Sequence, residues 1–167
     1  FILNPGALNI GGIGTAAGLA MTGLSSVSGK VIVGSHSPVT VNEDVATGGS
    51  EITLVSFGNT VADDLDINAD VTLTNPLGGV INLIAGHSVT LAANKTISGP
   101  AATNINIQAG EDGSNGVWND HDGEATGDVV LKTGSLVQSG TDDISVDAKR
   151  NVDLAGLVST GGDAYLT

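Results

Sequence analysis

A chain of 167 residues with 40% hydrophobic content can bury one ordinary core, but with 2% aromatics and 25 Gly that core must be built from Val, Ile, Leu and Ala. Five Lys plus Arg against 18 Asp plus Glu leave a formal net charge of -13, which repels phosphate backbones and anionic bilayers and argues against nucleic acid as a partner. The absence of Cys excludes disulfides and thiolate chemistry.

Residues 1–29, FILNPGALNIGGIGTAAGLAMTGLSSVSG, form an apolar, Gly-rich block without a charged side chain. No basic segment precedes the apolar run, so it does not read as an intact secretory signal, and Gly interrupts it too often for a membrane span. A first residue of Phe suggests a processed chain or an excerpt from a longer one. The stretch Ile10 to Gly18 resembles a dinucleotide-binding glycine fingerprint. That motif needs a helix after it and an acid ending the next strand, whereas Lys30-Val31-Ile32-Val33 runs into Gly34 and Ser35. The block is expected to be a cap, a first coil or an intersubunit strand.

From Lys30 onward short triplets follow one another, two aliphatics flanking a polar residue: Val39-Thr40-Val41, Ile52-Thr53-Leu54, Leu65-Asp66-Ile67, Val71-Thr72-Leu73, Ile105-Asn106-Ile107. This is the period-two pattern of a half-buried strand. Paired triplets begin eight residues apart in three places, at Val31 and Val39, Ile81 and Val89, and Ile144 and Val152. Corners rich in Gly, Asn and Asp punctuate them, as at Thr47-Gly48-Gly49 and Asn75-Pro76-Leu77-Gly78-Gly79. Taking Val31, Ile52, Ile81, Ile105, Val129, Ile144 and Ala164 as coil starts gives steps of 15 to 29 residues, the spacing of a solenoid. The fold expected is all-β, a parallel β-solenoid of about six coils over residues 30–167. First and third triplet residues then face inward and middle ones outward, with Ile32 and Val130 breaking the rule. A β-sandwich is the competitor, although its hairpins usually carry two-residue turns.

The segments GGVINLIAGHSVTLAAN, TDDISVDAKRNVDLAGLVSTGGDAYLT and VTVNEDVATGGSEITL resemble the repeats of filamentous-haemagglutinin-like proteins. These are bacterial exoproteins of the two-partner-secretion type, related to giant surface adhesins. Asn4-Pro5-Gly6 after Phe1-Ile2-Leu3 is similar to the Asn-Pro motif of their secretion domain, without its usual continuation. The resemblance implies a right-handed β-helix, secreted or exposed at the cell surface, and carries over no catalytic residue.

An acidic insertion at 108–128 departs from the repeat and holds the single Trp, Trp118. Glu111, Asp112, Asn115, Asn119, Asp120, Asp122 and Glu124 crowd together there, with Gly113, Gly116 and Gly123 for sharp bends. Calcium takes six to eight oxygen ligands of these kinds, and Asn119-Asp120-His121-Asp122-Gly123 has the alternate-oxygen spacing of a calcium loop. Asp112, Asn115, Asn119, Asp120, Asp122 and Glu124 are the candidate ligands. The terminal Glu of a twelve-residue calcium loop is missing, and a solvated loop is the alternative.

Catalysis has little to stand on. The candidate carboxylate pairs, Asp63-Asp64 and Asp142-Asp143, fall in corners where acid is expected anyway, and no cofactor is required. Ranks of Thr-x-Thr, as an ice-binding face would need, reduce to Thr72-Leu73-Thr74. The expectation is a non-catalytic structural module of an extracellular bacterial fibre or surface adhesin, self-associating head-to-tail or continuing a longer solenoid. The alternative is a carbohydrate-active or carbohydrate-binding β-helix with a host or surface glycan as partner.

Overall fold

The computed structural model describes residues 2–12, 15–16, 19–20, 22–58, 60–100, 102–110 and 126–167. Its strands wind in coils of three. The first coil holds β1 (Ile2–Asn4), β2 (Leu8–Ile10) and β5 (Leu24–Ser26), with β3 (Thr15–Ala16) and β4 (Leu19–Ala20) inserted before β5. The second coil holds β6 (Val31–Ser35), β7 (Val39–Val41) and β8 (Val45–Thr47), and the third β9 (Glu51–Ser56), β10 (Leu65–Ile67) and β11 (Val71–Leu73). The fourth holds β12 (Gly79–Ala85), β13 (Val89–Leu91) and β14 (Thr96–Ser98), and the fifth β15 (Thr103–Ala109), β16 (Asp128–Leu131) and β17 (Leu136–Gln138). The sixth holds β18 (Ile144–Ala148), β19 (Asn151–Leu154) and β20 (Leu157–Ser159), and β21 (Ala164–Leu166) begins a seventh.

Each strand pairs with its counterpart one coil away, giving three parallel sheets ordered β1-β6-β9-β12-β15-β18-β21, β2-β7-β10-β13-β16-β19 and β5-β8-β11-β14-β17-β20. The one antiparallel pair among the described residues is β3 with β4. The protein is therefore a parallel β-solenoid, and a sandwich of antiparallel hairpins is ruled out.

Register explains why this composition suffices. In the first sheet Val31, Ile52, Ile81, Ile105 and Ile144 stand directly over one another, and Val33, Leu54, Leu83, Ile107 and Val146 form a second column. The second sheet stacks Val39, Leu65, Val89 and Val129, the third Val45, Val71, Ile97 and Val137. With coils about 4.8 Å apart, each aliphatic contacts its own kind above and below, and the narrow interior leaves no room for rings. Every column residue from Ile52 to Val146 is fully buried. Where the first sheet bends into the second the inward column shrinks to Ser35, Ser56, Ala85 and Ala109, all buried.

Two expectations need correction. Val129 does not start a coil: it pairs with Val89 in the second sheet, and Ile105 pairs directly with Ile144 in the first. The insertion before β16 lengthens that one coil, which made its second strand look like a first. Ile32 and Val130 also obey the alternation. They occupy outward positions beside Thr53 and Thr90 and are only partly buried, so the exception lies in residue type and not in direction.

Candidate functional site

The six residues read as calcium ligands, Asp112, Asn115, Asn119, Asp120, Asp122 and Glu124, lie outside the described residues. In the sequence they fall between β15 and β16. Beside that stretch Gly110 N–H donates to the Ala85 and His87 carbonyls, each at 3.0 Å, and Arg150 N–H donates to the Gly127 carbonyl at 3.0 Å. Among the described residues no group of three or more His, Cys, Asp or Glu could hold a metal ion.

The corner between first and second sheets holds the most chemically suggestive cluster. His87 Nδ1 lies 2.6 Å from Asp64 Oδ1 and 3.2 Å from Ser88 Oγ. The residue types are those of a hydrolase triad, but the geometry is not. A relay needs the serine on one ring nitrogen and the carboxylate on the other, whereas both contacts converge on Nδ1. Ser88 Oγ also accepts Asp128 N–H at 3.2 Å, and Ser88 N–H donates to Asp64 Oδ1 at 3.0 Å. These bonds tie three successive coils together.

The carboxylate pairs noted in the sequence are likewise occupied, and they sit on different edges of the solenoid. Asp63 Oδ2 accepts Thr60 N–H at 2.9 Å and Thr60 Oγ1–H at 2.7 Å, closing a local turn. Asp143 Oδ1 accepts Asp163 N–H at 2.9 Å, and Asp142 Oδ2 accepts from Asn104 Nδ2 at 3.4 Å. A rule emerges at the corners. Asp44 Oδ1 accepts Asp70 N–H at 3.1 Å and Asp70 Oδ1 accepts Thr96 N–H at 2.8 Å, so each aspartate caps a donor of the coil above. Corner acid thus does more than solvate: it satisfies backbone donors that the bends take out of the ladders.

On the flat faces asparagine links coils through side-chain bonds. Asn106 Nδ2 donates to Asn82 Oδ1 at 2.9 Å, and Asn82 Nδ2 to Thr53 Oγ1 at 3.1 Å. At the next corner Asn68 Nδ2 donates to Asn42 Oδ1 at 3.1 Å, and Asn42 Nδ2 to Asn9 Oδ1 at 2.7 Å. Asn106, Asn82 and Thr53 are in-register partners, whereas Asn42 reaches down to Asn9, whose register partner is Thr40.

Charged outward positions respond to their surroundings. Partial burial, with Asp64 nearby, pushes the Asp66 carboxyl above its usual range, and Lys132 opposes that shift. Asp128 is held below the usual range by Arg150, whose Nε donates to Oδ1 at 2.8 Å while Nη2 bonds Oδ2.

Two surfaces remain as candidate interaction sites. A groove of about 450 Å³ along the third sheet is lined by Thr72, Leu73, Thr74, Ser98, Gly99, Pro100 and Gln138, none of them charged. The other is the C-terminal end, the sixth coil with β21. Leu154 continues the Leu91–Leu131 column and Leu166 the Val146 column, yet they are 37% and 50% exposed. No helix of the described residues is long and apolar enough to cross a membrane. Comparisons with protein-family models, with curated proteins and with solved structures gave no match.

Proposed function

We propose that the chain is a non-catalytic structural module of an extracellular bacterial fibre or surface adhesin, extended by addition of further coils at its ends. The observation that carries this reading is the in-register stacking of three parallel sheets, with Asp and Asn side chains taken up in bonds from coil to coil. Strands β19, β20 and β21 stand at the edges of their sheets. Such an edge above apolar columns accepts another strand in register, from the same polypeptide or from a second copy, and a second copy adds head-to-tail. Sedimentation velocity across a concentration series tests the second route. Wild type should form growing oligomers, and Leu154→Asp with Leu166→Asp should leave monomers; wild type that stays monomeric at millimolar concentration confines the module to neighbours within its own polypeptide.

The resemblance of the repeats to two-partner-secretion adhesins supports a secreted or surface location. Calcium is the ligand proposed for the acidic insertion. Adding the ion should raise the melting temperature by mass action, and Asp120→Asn with Asp122→Asn should abolish the rise. No heat in calorimetry at millimolar calcium would leave a solvated loop.

A second reading, carbohydrate binding, is favoured by the third-sheet groove. Thr72, Ser98 and Gln138 stand in register one coil apart there and offer neutral donors and acceptors. Titration with neutral oligosaccharides checks it: binding lost in Gln138→Ala supports the groove, and binding unchanged in that variant removes it.

A further inference from the structure

Two successive corners of this solenoid have nearly the same sequence. Asn42-Glu43-Asp44-Val45 joins β7 to β8, and Asn68-Ala69-Asp70-Val71 joins β10 to β11. The Asn side chains share one ladder, the Asp carboxylates both cap the coil above, and Val45 pairs with Val71. One position differs. Ala69 is buried, whereas its counterpart Glu43 is a charged residue on an acidic molecule, where another carboxylate adds repulsion.

The coil beneath explains the difference. Below Ala69 lies the tight corner that holds Glu43, but below Glu43 the chain leaves the solenoid after β2, forms the antiparallel pair β3–β4 and returns at β5. Pairing of β2 with β7 and of β5 with β8, with Leu24 N–H on the Asp44 carbonyl at 2.9 Å, ties each foot to the coil above, but among the described residues these bonds do not link the feet to one another through a shared group. Glu43 supplies that group. Its Oε1 accepts Gly12 N–H at 3.0 Å and its Oε2 accepts Gly23 N–H at 2.5 Å, so one carboxylate bridges the departing and the returning chain.

The local backbone is shaped around this contact. Gly11, Gly12 and Gly23 have φ of 114°, 80° and 75°, a region that side chains rarely adopt. A Cβ on Gly11 would stand 2.6 Å from Glu43 Cγ, and one on Gly23 would overlap the Asp44 carbonyl oxygen. The glycines therefore bend the feet toward the carboxylate and leave room for its stem. Asn42 and Glu43 N–H both donate to the Ile10 carbonyl, at 2.8 and 3.2 Å, which anchors the departing foot from the other side.

We propose that Glu43 is the latch of the 11–23 excursion: its ionised carboxylate holds both feet, and neutralising it frees the β3–β4 pair from the rod while the remaining coils stay folded. The two backbone bonds also hold the Glu43 carboxyl below its usual value of 4.5. The latch is thus closed above that value and opens as pH falls through the lowered one. Residues 1–29 bring no charge toward it; Asp44 shares its recess and Asp70 stands one coil above, and both carboxylates cap backbone donors of the coil over them.

Amide hydrogen exchange by NMR reads this directly, with Glu43→Ala, Glu43→Gln and, as control, Asp44→Asn. In Glu43→Ala, protection at Gly12 and Gly23 should fall about tenfold or more and the β3–β4 amides should follow. Ile67 and Leu91 should keep wild-type protection. Acidifying wild type below 4.5 should reproduce the loss after correction for intrinsic exchange, and Glu43→Ala should show no further pH response. Glu43→Gln, with one acceptor oxygen left, should fall between. Unchanged protection at Gly12 and Gly23 in Glu43→Ala overturns the proposal. So does an equal loss across all coils in both Glu43 variants, or a loss at Gly12 and Gly23 as large in Asp44→Asn.

Discussion

The fourth coil and the C-terminal strands β19 and β21 are made of the same material and behave differently. Leu83 in β12 and Leu166 in β21 belong to one column, linked through Ile107 and Val146. Leu83 has coils on both sides and is fully buried; Leu166 has one and is 50% exposed. The same holds between Leu91, fully buried, and Leu154, 37% exposed. Burial in this protein is a property of position in the stack, because a single coil cannot enclose its own inward face.

The largest test of that contrast is a pair of truncations. Leu83→Ala should cost about 2–5 kcal/mol in urea denaturation, as for a well-packed core leucine, and Leu166→Ala under about 1 kcal/mol. Similar costs at both sites would break the comparison. The boundary between the two regions offers the next. Ser135 Oγ is buried, has no hydrogen-bond partner among the described residues and faces Gly156 of the sixth coil. Ser135→Ala removes a hydroxyl that cannot recover its lost solvation, and should stabilise by up to about 1 kcal/mol.

A smaller effect comes from Asp66, on the outward face of the third coil. Its folded carboxyl titrates above the usual 3.8, so the folded state binds the proton more tightly and stability falls as pH rises through that window. Asp66→Asn should therefore raise the melting temperature at neutral pH by an amount worth under about 1 kcal/mol, and the gain should vanish below 3.8. A gain that persists in acid would point to packing. Smallest of all, Thr90→Ala on the outer face of β13 should change stability by under about 0.5 kcal/mol, which separates inward from outward positions within one strand.

The same contrast shows what could be read from sequence. First- and second-sheet strands were legible because both inward residues of each triplet are large aliphatics, as in Ile81-Asn82-Leu83 and Val89-Thr90-Leu91. The third sheet was legible only at Val71-Thr72-Leu73. In Thr96-Ile97-Ser98 and Leu136-Val137-Gln138 it is the middle residue that points inward, since Ile97 lies against Val71, the first residue of its strand. One buried aliphatic per strand leaves no period-two signal. Strand β2 was legible, since Leu8-Asn9-Ile10 has the same aliphatic-polar-aliphatic pattern, but it was passed over inside the Gly-rich block; Ile2-Leu3-Asn4 and Leu24-Ser25-Ser26 lack that pattern. The Glu43 latch left a trace that was missed, Asn-Glu-Asp-Val beside Asn-Ala-Asp-Val. Its meaning needed the hydrogen bonds to Gly12 and Gly23.

If the half-exposed columns at the C-terminal end join a second copy, the purified chain should form filaments. Negative-stain electron microscopy of the purified chain at rising concentration examines this directly. Unbranched filaments one solenoid wide, lengthening with concentration and absent from the Leu154→Asp, Leu166→Asp variant, are the expected result. Discrete particles of constant size at every concentration would contradict head-to-tail addition.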